Sequence, residues 1–335
     1  MVRKICLNSL YGAIGNSYFR HYKLENAEAI TLTGQVAIRW IERKLNEYVN
    51  KTLKTEGTDY VIASDTDSIY LNLGPLVDMV GLTDAPRIVD VLNQFCQEKI
   101  EPFIDESYEE FSEYLNCYEK TMVMARECIA ERGIWTAKKR YILNVWDNEG
   151  VRYEEPKLKM MGIEAVKSST PAPCRTYIKE CLNLIMTGTE EDVIAYIEEK
   201  RQEHLSLPVE QIAFPRSANN INKFMSTSTL WVKGTPLHIR GCILFNHLLK
   251  KTGMGNKYNN IQDGEKVKYV YLRVPNHASC DVVSFISELP KEYDLNKYVD
   301  YDKMYQKGFI DPLKSILDTI GWKTEEQNTL ESFFL

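Results

Sequence analysis

Residues 62–70 read Ile62-Ala63-Ser64-Asp65-Thr66-Asp67-Ser68-Ile69-Tyr70, which places two carboxylates one residue apart between two apolar runs. This pattern predicts a strand, a tight turn and a second strand. If the segment is locally extended, Asp65 and Asp67 point to the same side, because side chains alternate faces along a strand. Two acids held that close repel each other unless a cation lies between them. Oxygen ligands without nearby His or Cys favour Mg²⁺, so phosphoryl or nucleotidyl transfer is the first hypothesis.

The Asp-x-Asp pattern has two other interpretations. It is common in surface turns, where the side-chain oxygen accepts a hydrogen bond from the nearby backbone. Nucleotide-sugar transferases also carry Asp-x-Asp at the end of a strand. The rest of the chain has to distinguish these possibilities.

The composition is that of a globular chain. Its 335 residues are 44% hydrophobic, which is enough for roughly two domains with packed cores. No apolar run approaches the roughly 20 residues that span a bilayer, and the basic start Met1-Val2-Arg3-Lys4 is followed too soon by polar residues to be a signal peptide. The eight cysteines form no Cys-x-x-Cys pair. We therefore expect reduced thiols in a cytosolic setting.

The formal charge of −6 argues against indiscriminate nucleic-acid binding, but the charge is unevenly distributed. Acidic residues concentrate on a predicted helix over 89–114, which Pro102 is expected to kink or divide. Basic residues recur at 138–140, 157–167 and 216–257. A local basic groove is therefore compatible with the composition.

A helix is predicted over Val2–Ile14, with Lys4, Asn8 and Tyr11 at i, i+4 and i+7 on one face. That face offers an ammonium, an amide and an aromatic ring, which would suit a triphosphate, a sugar and a base. Gly12 would let a base pair approach the backbone closely. A capping region with a half-buried tyrosine explains these residues about equally well.

The pattern Lys4-x-x-x-Asn8-Ser9-x-Tyr11-Gly12, followed by Asp65-Thr66-Asp67-Ser68, resembles motifs B and C of the family B DNA polymerases. The surrounding sequence resembles the replicative polymerases of T-even-type bacteriophages through most of the chain. The resemblance implies an α+β fold encoded by a phage and located in the cytoplasm of a bacterial host cell. Its expected parts are the end of a fingers helix at 1–16, a palm at 17–162, a mainly helical thumb at 163–326 and a tail at 327–335.

The resemblance also implies a role for the paired acids. Asp67 is expected to be the principal ligand, and Asp65 the lesser one, of a site that holds two Mg²⁺ ions. Two departures from the family pattern bear on this site: Ala63-Ser64 replaces a Tyr-Gly pair, and Ala125 stands where the family has an acid. Glu127 is a candidate outer carboxylate, with a surface pairing of Arg126 and Glu127 as the alternative.

The motif on the first helix is expected to bind the incoming dNTP. By resemblance, Lys4 neutralises the phosphates and Asn8 lines the nucleotide pocket. Tyr11 and Gly12 contact the minor-groove edge of the nascent base pair, where every correct pair presents acceptors.

A strand is predicted over Met122–Ala130, and a second over Trp135–Leu143 after a turn at Arg132-Gly133. Three consecutive cations inside an apolar strand favour an anionic partner such as the nucleic-acid backbone. A charged edge strand that prevents aggregation is the alternative. The segment resembles the family's Lys-Lys-Arg-Tyr element, which implies that Lys139 reaches the minor groove at the primer terminus and that Tyr141 contacts the primer backbone. The expected contacts to primer–template DNA also include Lys138, Arg140, Lys157, Lys159 and Lys167.

The last residues carry the pattern Gln327-x-x-Leu330-x-x-Phe333-Phe334, whose three apolar side chains would share one helical turn. It resembles the tail by which replication proteins dock on a sliding clamp. Docking on the chain's own thumb is the alternative.

Nucleotidyl transfer through two metals requires carboxylates from two strands, and the family's motif A aspartate and exonuclease signature do not occur in these 335 residues. The first hypothesis is therefore the C-terminal subunit of a split DNA polymerase, inactive as an isolated chain. A second, N-terminal polymerase subunit would supply motif A and the exonuclease. The alternative is a catalytically inactive module that binds primer–template and the clamp. A glycosyltransferase is a distant third, because it explains neither the basic segment nor the tail.

Overall fold

The computed structural model describes residues 2–325 and divides them into two compact units. The first unit comprises residues 2–131 and 145–156, and the second comprises 132–144 and 157–325. The unit boundaries fall inside the three strands of one sheet, whose order is β3-β4-β5: Cys128–Ala137, Arg140–Asn148 and Val151–Met161. Helices and small antiparallel sheets coexist, so the predicted α+β class is confirmed.

The first unit is built around a long helix. Its elements, besides its parts of β3, β4 and β5, are α1 (Val2–Ile14), the long helix α2 (Leu24–Leu53), β1 (Val61–Asp65), β2 (Ser68–Leu71), α3 (Gly74–Val80), α4 (Ala85–Phe95) and α5 (Glu101–Tyr114). Helix α2 buries a stripe at fourfold spacing, including Ala37, Ile41 and Leu45, in a core shared with α5 and β1. In the sequence, Ile30, Ala37, Ile41, Leu45 and Tyr48 recur at helical spacing, which predicts an amphipathic helix that supports the hairpin. The buried stripe confirms this for Ala37, Ile41 and Leu45, whereas Ile30 is exposed.

A π-helical turn at Cys96–Ile100 joins α4 to α5, with Pro102 in the first turn of α5. Proline lacks an N–H and clashes with the carbonyl four residues earlier, so the helix cannot continue with regular hydrogen bonds. The wider turn accommodates the proline. The predicted division of the 89–114 helix at Pro102 is therefore confirmed.

Two strand predictions are wrong in their boundaries. Residues 121–127 have no regular secondary structure, and β3 begins only at Cys128. Gly133 is not a turn residue but lies inside β3, where an added Cβ would be 2.7 Å from the Trp135 ring and 2.8 Å from Leu143 Cδ2. The glycine allows close packing within the sheet. The real turn is Lys138-Lys139, with Lys139 at φ 59°. Lys138 and Lys139 therefore lie at a hairpin tip and not inside an apolar strand, and Arg140 begins β4.

The second unit contains two apolar cores. Its elements, besides its parts of β3, β4 and β5, are α6 (Ala172–Thr187), α7 (Glu190–Ser206), α8 (Val209–Ile212), β6 (Phe214–Ser217), α9 (Ile221–Phe224), α10 (Leu237–Thr252), β7 (Lys266–Tyr271), β8 (Val282–Phe285), α11 (Tyr301–Tyr305) and α12 (Asp311–Ile320). One core surrounds α6 and α7 with α12, and the other packs α10 against a sheet of order β6-β7-β8. The sequence predicts helices over 176–186 and 190–204, with a break at 187–189, and both are confirmed as α6 and α7. Thr189 and Asp192 form a capping box that begins α7.

All eight cysteines are free thiols, as predicted, and four of them are buried. Within residues 2–325, no helix combines the length and the apolar character required to cross a membrane.

Candidate active site and nucleic-acid contacts

The hairpin β1–β2 carries both predicted metal ligands at its tip. Asp65 ends β1 and pairs with Ser68 of β2, so the loop between the strands consists of Thr66 and Asp67. Thr66 has φ 58°, and Asp67 N–H donates to the Asp65 carbonyl at 2.7 Å. The backbone is therefore not extended here, and the expectation that strand alternation aligns the two acids is wrong. A tight turn sets their positions instead.

Side-chain hydrogen bonds hold this turn. Thr66 Oγ1 donates to Asp65 Oδ1 at 2.9 Å, and Ser68 Oγ donates to the Asp65 main-chain carbonyl at 3.0 Å. At the other end of β1, Asn46 Oδ1 of α2 accepts from the Tyr60 and Val61 N–H groups at 2.8 and 3.1 Å. The tip is therefore supported from within and fixed to α2 at its base.

The two acids lie in different environments. Asp65 is half-buried and Asp67 is exposed. Tyr108 of α5 is buried in the core below the hairpin. Burial raises the pKa of Tyr108, and the negative charge of Asp67 raises it further.

The donor set at the tip fits a hard cation. Two carboxylates without a histidine or thiol suit Mg²⁺, which fills its other positions with water and phosphate oxygens. Within residues 2–325, no group of three or more His, Cys, Asp or Glu residues is arranged to hold a metal.

The segment before β3, which contains Glu127, is fixed by an acid that sequence reasoning missed. The Arg126 guanidinium donates to the carboxylate of Asp147, whose side chain is only 2% exposed. Arg152 Nε lies 2.7 Å from the same carboxylate, and the Arg126 N–H donates to Glu101 Oε1 at 2.8 Å. Burial alone would raise the pKa of Asp147, but hydrogen bonds from Arg126 and Gly150 and the two nearby guanidinium charges hold it below its usual range. Arg126 therefore pairs with Asp147, an acid that the expected pairing of Arg126 with Glu127 did not include.

Helix α1 presents its motif residues to solvent. Lys4, Asn8 and Tyr11 are all exposed, and none of the residues in α1 is buried. The Tyr11 hydroxyl shares a hydrogen bond with Thr31 Oγ1 of α2 at 2.8 Å. A Cβ added at Gly12 would meet nothing within 4 Å, so the backbone is open to close approach there. All four motif residues belong to the same unit as the hairpin.

The basic residues Lys138, Lys139, Arg140 and Lys167 lie in the second unit, and two of them bind the carboxylate of Glu164. Arg140 donates to both oxygens of Glu164, at 2.8 and 2.7 Å, and Lys167 Nζ donates to Glu164 Oε1 at 2.9 Å. Burial alone would raise the pKa of Glu164, but these two cations hold it at about 2. Two of the predicted DNA-binding cations thus share one carboxylate, which was not expected from the sequence because Glu164 is distant along the chain from Arg140.

The remaining predicted DNA contacts are placed as follows. Lys138 and Lys139 are exposed at the tip of the β3–β4 turn, whereas Tyr141 is buried with its ring 6.4 Å from that of Trp135. Lys157 and Lys159 stand two residues apart on β5 and therefore share a face. The predicted clamp-binding residues Gln327, Leu330, Phe333 and Phe334 lie outside the described residues.

Comparison with known proteins identifies the class. The family model for DNA polymerase family B matches residues 1–320. The chain is 39% identical over 347 residues to the DNA-directed DNA polymerase of Enterobacteria phage T4, and 40% identical over 349 residues to that of Escherichia phage RB69. Each alignment covers 99% of this chain and 38% of the relative. The chain therefore belongs to DNA polymerase family B, and it spans well under half the length of these two phage polymerases.

Proposed function

We propose that this chain supplies the metal-binding hairpin, the nucleotide-contacting helix and the product-binding part of a template-dependent DNA polymerase. The reaction would add dNTPs to a primer 3′ end. The observation that carries the proposal is the Asp65-Thr66-Asp67 tip, where a tight turn brings two carboxylates together without other ligand types. One hydroxyl hydrogen bond orients the Asp65 carboxylate, and a second holds the Asp65 main-chain carbonyl. Family membership supports the reaction class.

The residues at the tip would hold Mg²⁺, with Asp67 as the principal ligand and Asp65 as the lesser one. Bound Mg²⁺ would polarise the phosphates and stabilise the charge that develops during transfer. On α1, the Lys4 ammonium would add positive charge on the phosphates, and Asn8 would line the nucleotide pocket. Tyr11, hydrogen-bonded to Thr31, would present its ring beside the open backbone at Gly12.

The second unit would bind primer–template DNA. Lys138 and Lys139, exposed at a hairpin tip, are best placed for direct contact. Arg140 and Lys167 share Glu164, so their contribution would be mainly to hold the turn and the segment after β5 in place. Lys157 and Lys159 would follow the backbone along one face of β5. The tail at 327–335 would dock on a sliding clamp.

We further propose that the missing carboxylate comes from a second polypeptide that carries the family's motif A and exonuclease. The motif is not present in these 335 residues, and two carboxylates alone do not make the two-metal site that nucleotidyl transfer requires.

Primer extension with Mg²⁺ tests both the metal-binding role of the hairpin and the need for a second polypeptide. The chain alone should not extend a primer, and a second chain containing motif A should restore synthesis. Asp67→Asn should lower the restored rate by more than about a hundredfold, because it removes a direct metal ligand. Asp78→Asn, at an exposed acid on α3, is the matched control and should retain full activity. Restored synthesis that tolerates Asp67→Asn would overturn the catalytic assignment.

The replacements at Ala63-Ser64 and Ala125 favour a second candidate, an inactive module that binds primer–template and the clamp. This candidate predicts DNA binding without synthesis under any complementation. Measuring duplex affinity and primer extension on the same complemented sample separates the two functions.

A further inference from the structure

An apolar groove of about 360 Å³ lies inside the second unit, where α6 and α12 end beside strand β3. Its lining includes Ile134 of β3, Ile185 and Met186 near the end of α6, and Ile320 and Trp322 at the end of α12. None of these residues was assigned a role above.

The floor of the groove belongs to a packed core, and its rim is open. Ile185 and Met186 are buried in the core around α6, α7 and α12. Ile134, Ile320 and Trp322 are half-buried and pack against the edge of that core. Large apolar side chains left partly open around one depression are typical of a docking surface. The volume is near the lower end of the range for binding sites, roughly 300–1,000 Å³, so it suits one or two side chains.

Arg132 carries the only charge among the described residues that line the groove. This residue is exposed, and its Nη1 donates to the main-chain carbonyl of Met186 at 2.7 Å. The hydrogen bond holds the guanidinium at the rim, but a carbonyl does not neutralise its charge. The groove therefore favours an apolar occupant that also carries an acid.

The chain itself passes beside this groove at the end of the described residues. Gly321 ends α12 at φ 78°, and the Trp322 N–H donates to the Leu317 carbonyl at 3.0 Å, so the chain turns back at the helix end. The Lys323 N–H donates to Glu190 Oε1 at 2.5 Å, at the start of α7. The backbone is therefore fixed next to the groove as far as Lys323.

Residues 326–335 contain the side-chain types that fit the groove. Leu330, Phe333 and Phe334 are apolar, and Glu331 stands between them in sequence. Phe333 is ten residues beyond Lys323, and an extended chain of ten residues reaches up to roughly 35 Å. The aromatic side chains can therefore return to a groove that begins at Trp322.

We infer that the segment 327–335 of this chain docks in the groove, with Phe333 and Phe334 on its apolar wall and Glu331 beside Arg132. Aromatic side chains are the usual anchors in such a depression. The same segment is the proposed clamp-binding tail, so docking in the groove and docking on a clamp exclude each other. Only this competition rests on the proposed function; the docking itself does not.

Photo-crosslinking of the full chain tests the docking. The crosslinker p-benzoylphenylalanine, placed at position 334 instead of Phe334, should crosslink within one chain to residues 132–134, 185–186 or 320–322. Arg132→Glu should lower the yield of these crosslinks at least about threefold, because it replaces an attraction to Glu331 with a repulsion. Lys179→Glu reverses an exposed cation of α6 outside the groove lining and is the matched control, with an unchanged yield.

A charge swap separates docking from a loss of folding. Glu331→Lys changes the tail and leaves the groove intact, and it should lower the yield as much as Arg132→Glu does. Combining Arg132→Glu with Glu331→Lys should restore the yield, because the two charges attract again. Far-UV circular dichroism checks that each variant is folded.

The outcomes distinguish the occupants of the groove. Crosslinks that join two chains would show that a second copy fills the groove and would overturn the inference, as would the absence of crosslinks to the groove residues. Equal yields for Arg132→Glu and Lys179→Glu would overturn the placement of Glu331 beside Arg132. Excess sliding clamp from a T-even-type phage should lower the yield. A clamp that binds the chain without lowering the yield would overturn the competition, and a clamp that does not bind at all would overturn the proposed tail function but not the docking.

Discussion

Thr66 shapes the hairpin tip more directly than either carboxylate does. It is β-branched yet adopts φ 58°, a region that costs such a residue about 1–3 kcal/mol. The same side chain donates to Asp65 Oδ1 at 2.9 Å. Strain and the hydroxyl contact thus coincide at the proposed metal site, which is where strained backbone is commonly retained.

Replacing Thr66 should separate stability from activity. Thr66→Gly removes the strain, so we expect the free energy of unfolding to rise by up to about 1 kcal/mol. The complemented polymerase should nevertheless lose rate at low Mg²⁺, because Asp65 loses its orienting hydrogen bond. Thr66→Asn tolerates a positive φ and keeps a polar side chain, so it should retain more activity than glycine. Equal activity of wild type and Thr66→Gly at every Mg²⁺ concentration would show that the hydroxyl does not orient Asp65.

His204 makes the second unit sensitive to acid. Its ring is fully buried beside Tyr305 and Tyr177, with centroid distances of 5.2 and 6.3 Å. Neither ring nitrogen has a hydrogen-bond partner among the described residues. Burial lowers the pKa of His204 to about 4, although the Glu203 carboxylate opposes this shift.

The sign of the pH effect follows from that lowered pKa. A histidine in the unfolded chain has a pKa near 6.5. The contribution of neutral His204 to the free energy of unfolding is therefore fully present above about pH 6.5 and is lost as the pH falls toward 4. At pH 7, the free energy of unfolding of His204→Phe should equal or exceed that of wild type. At pH 4, the advantage of His204→Phe over wild type should be about 3 kcal/mol larger than at pH 7. Denaturant titrations from pH 4 to 7 measure this difference. The exposed His247, changed to Phe, is the control; parallel curves for wild type and His204→Phe would contradict the prediction.

At the scale of elements, periodic segments were predicted well and junctions were not. Helices α1, α2, α6 and α7 have apolar or capping patterns that depend only on near neighbours in sequence, so their positions could be inferred. The start of β3 and the Lys138-Lys139 turn could not, because a glycine inside a strand and a glycine in a turn look alike in sequence. The ion pairs of Asp147 and Glu164 were missed for a related reason. Arg126 is 21 residues from Asp147 and Arg140 is 24 residues from Glu164, and only the fold brings these pairs together.

Gly162 connects the end of β5 to the basic turn. It has φ 68°, and an added Cβ would overlap the Lys139 carbonyl oxygen and lie 3.0 Å from Arg140 Cγ. Gly162→Ala should therefore lower the free energy of unfolding by about 2 kcal/mol or more and displace the Lys138-Lys139 tip. Thermal melts and duplex affinity should both decline. Gly255→Ala is the matched control, since nothing lies within 4 Å of its added Cβ. A Gly162→Ala variant with unchanged stability and unchanged duplex affinity would contradict this prediction, because it would show that Gly162 does not position the Lys138-Lys139 tip for DNA binding.

For the whole molecule, the distribution of charge matters more than its sum. The chain has 41 Lys and Arg against 47 Asp and Glu, so its net charge is repulsive toward DNA. Some cations are also neutralised internally, as Arg140 and Lys167 are by Glu164. The proposed DNA binding would therefore depend on a small number of cations held at fixed positions, which makes single substitutions informative.

The exposed apolar face of α1 allows the proposed second polypeptide to be tested directly. This helix has 13 residues and buries none of them, although isolated helices of that length are marginal in water. Leu7 and Leu10, three residues apart, are 70% and 50% exposed. An apolar helical stripe of this kind is stabilised when a partner covers it.

Leu7→Lys with Leu10→Lys should leave the free energy of unfolding within about 0.5 kcal/mol of wild type, because both side chains are exposed in the chain alone. The concentration of the second polypeptide that gives half-maximal primer extension should rise at least about tenfold, because two apolar anchors are lost. Val123→Lys, at an apolar residue that is 82% exposed elsewhere in the first unit, controls for a general effect of added charge. If the double variant needs no more partner than Val123→Lys does, α1 is not the surface that the second chain covers.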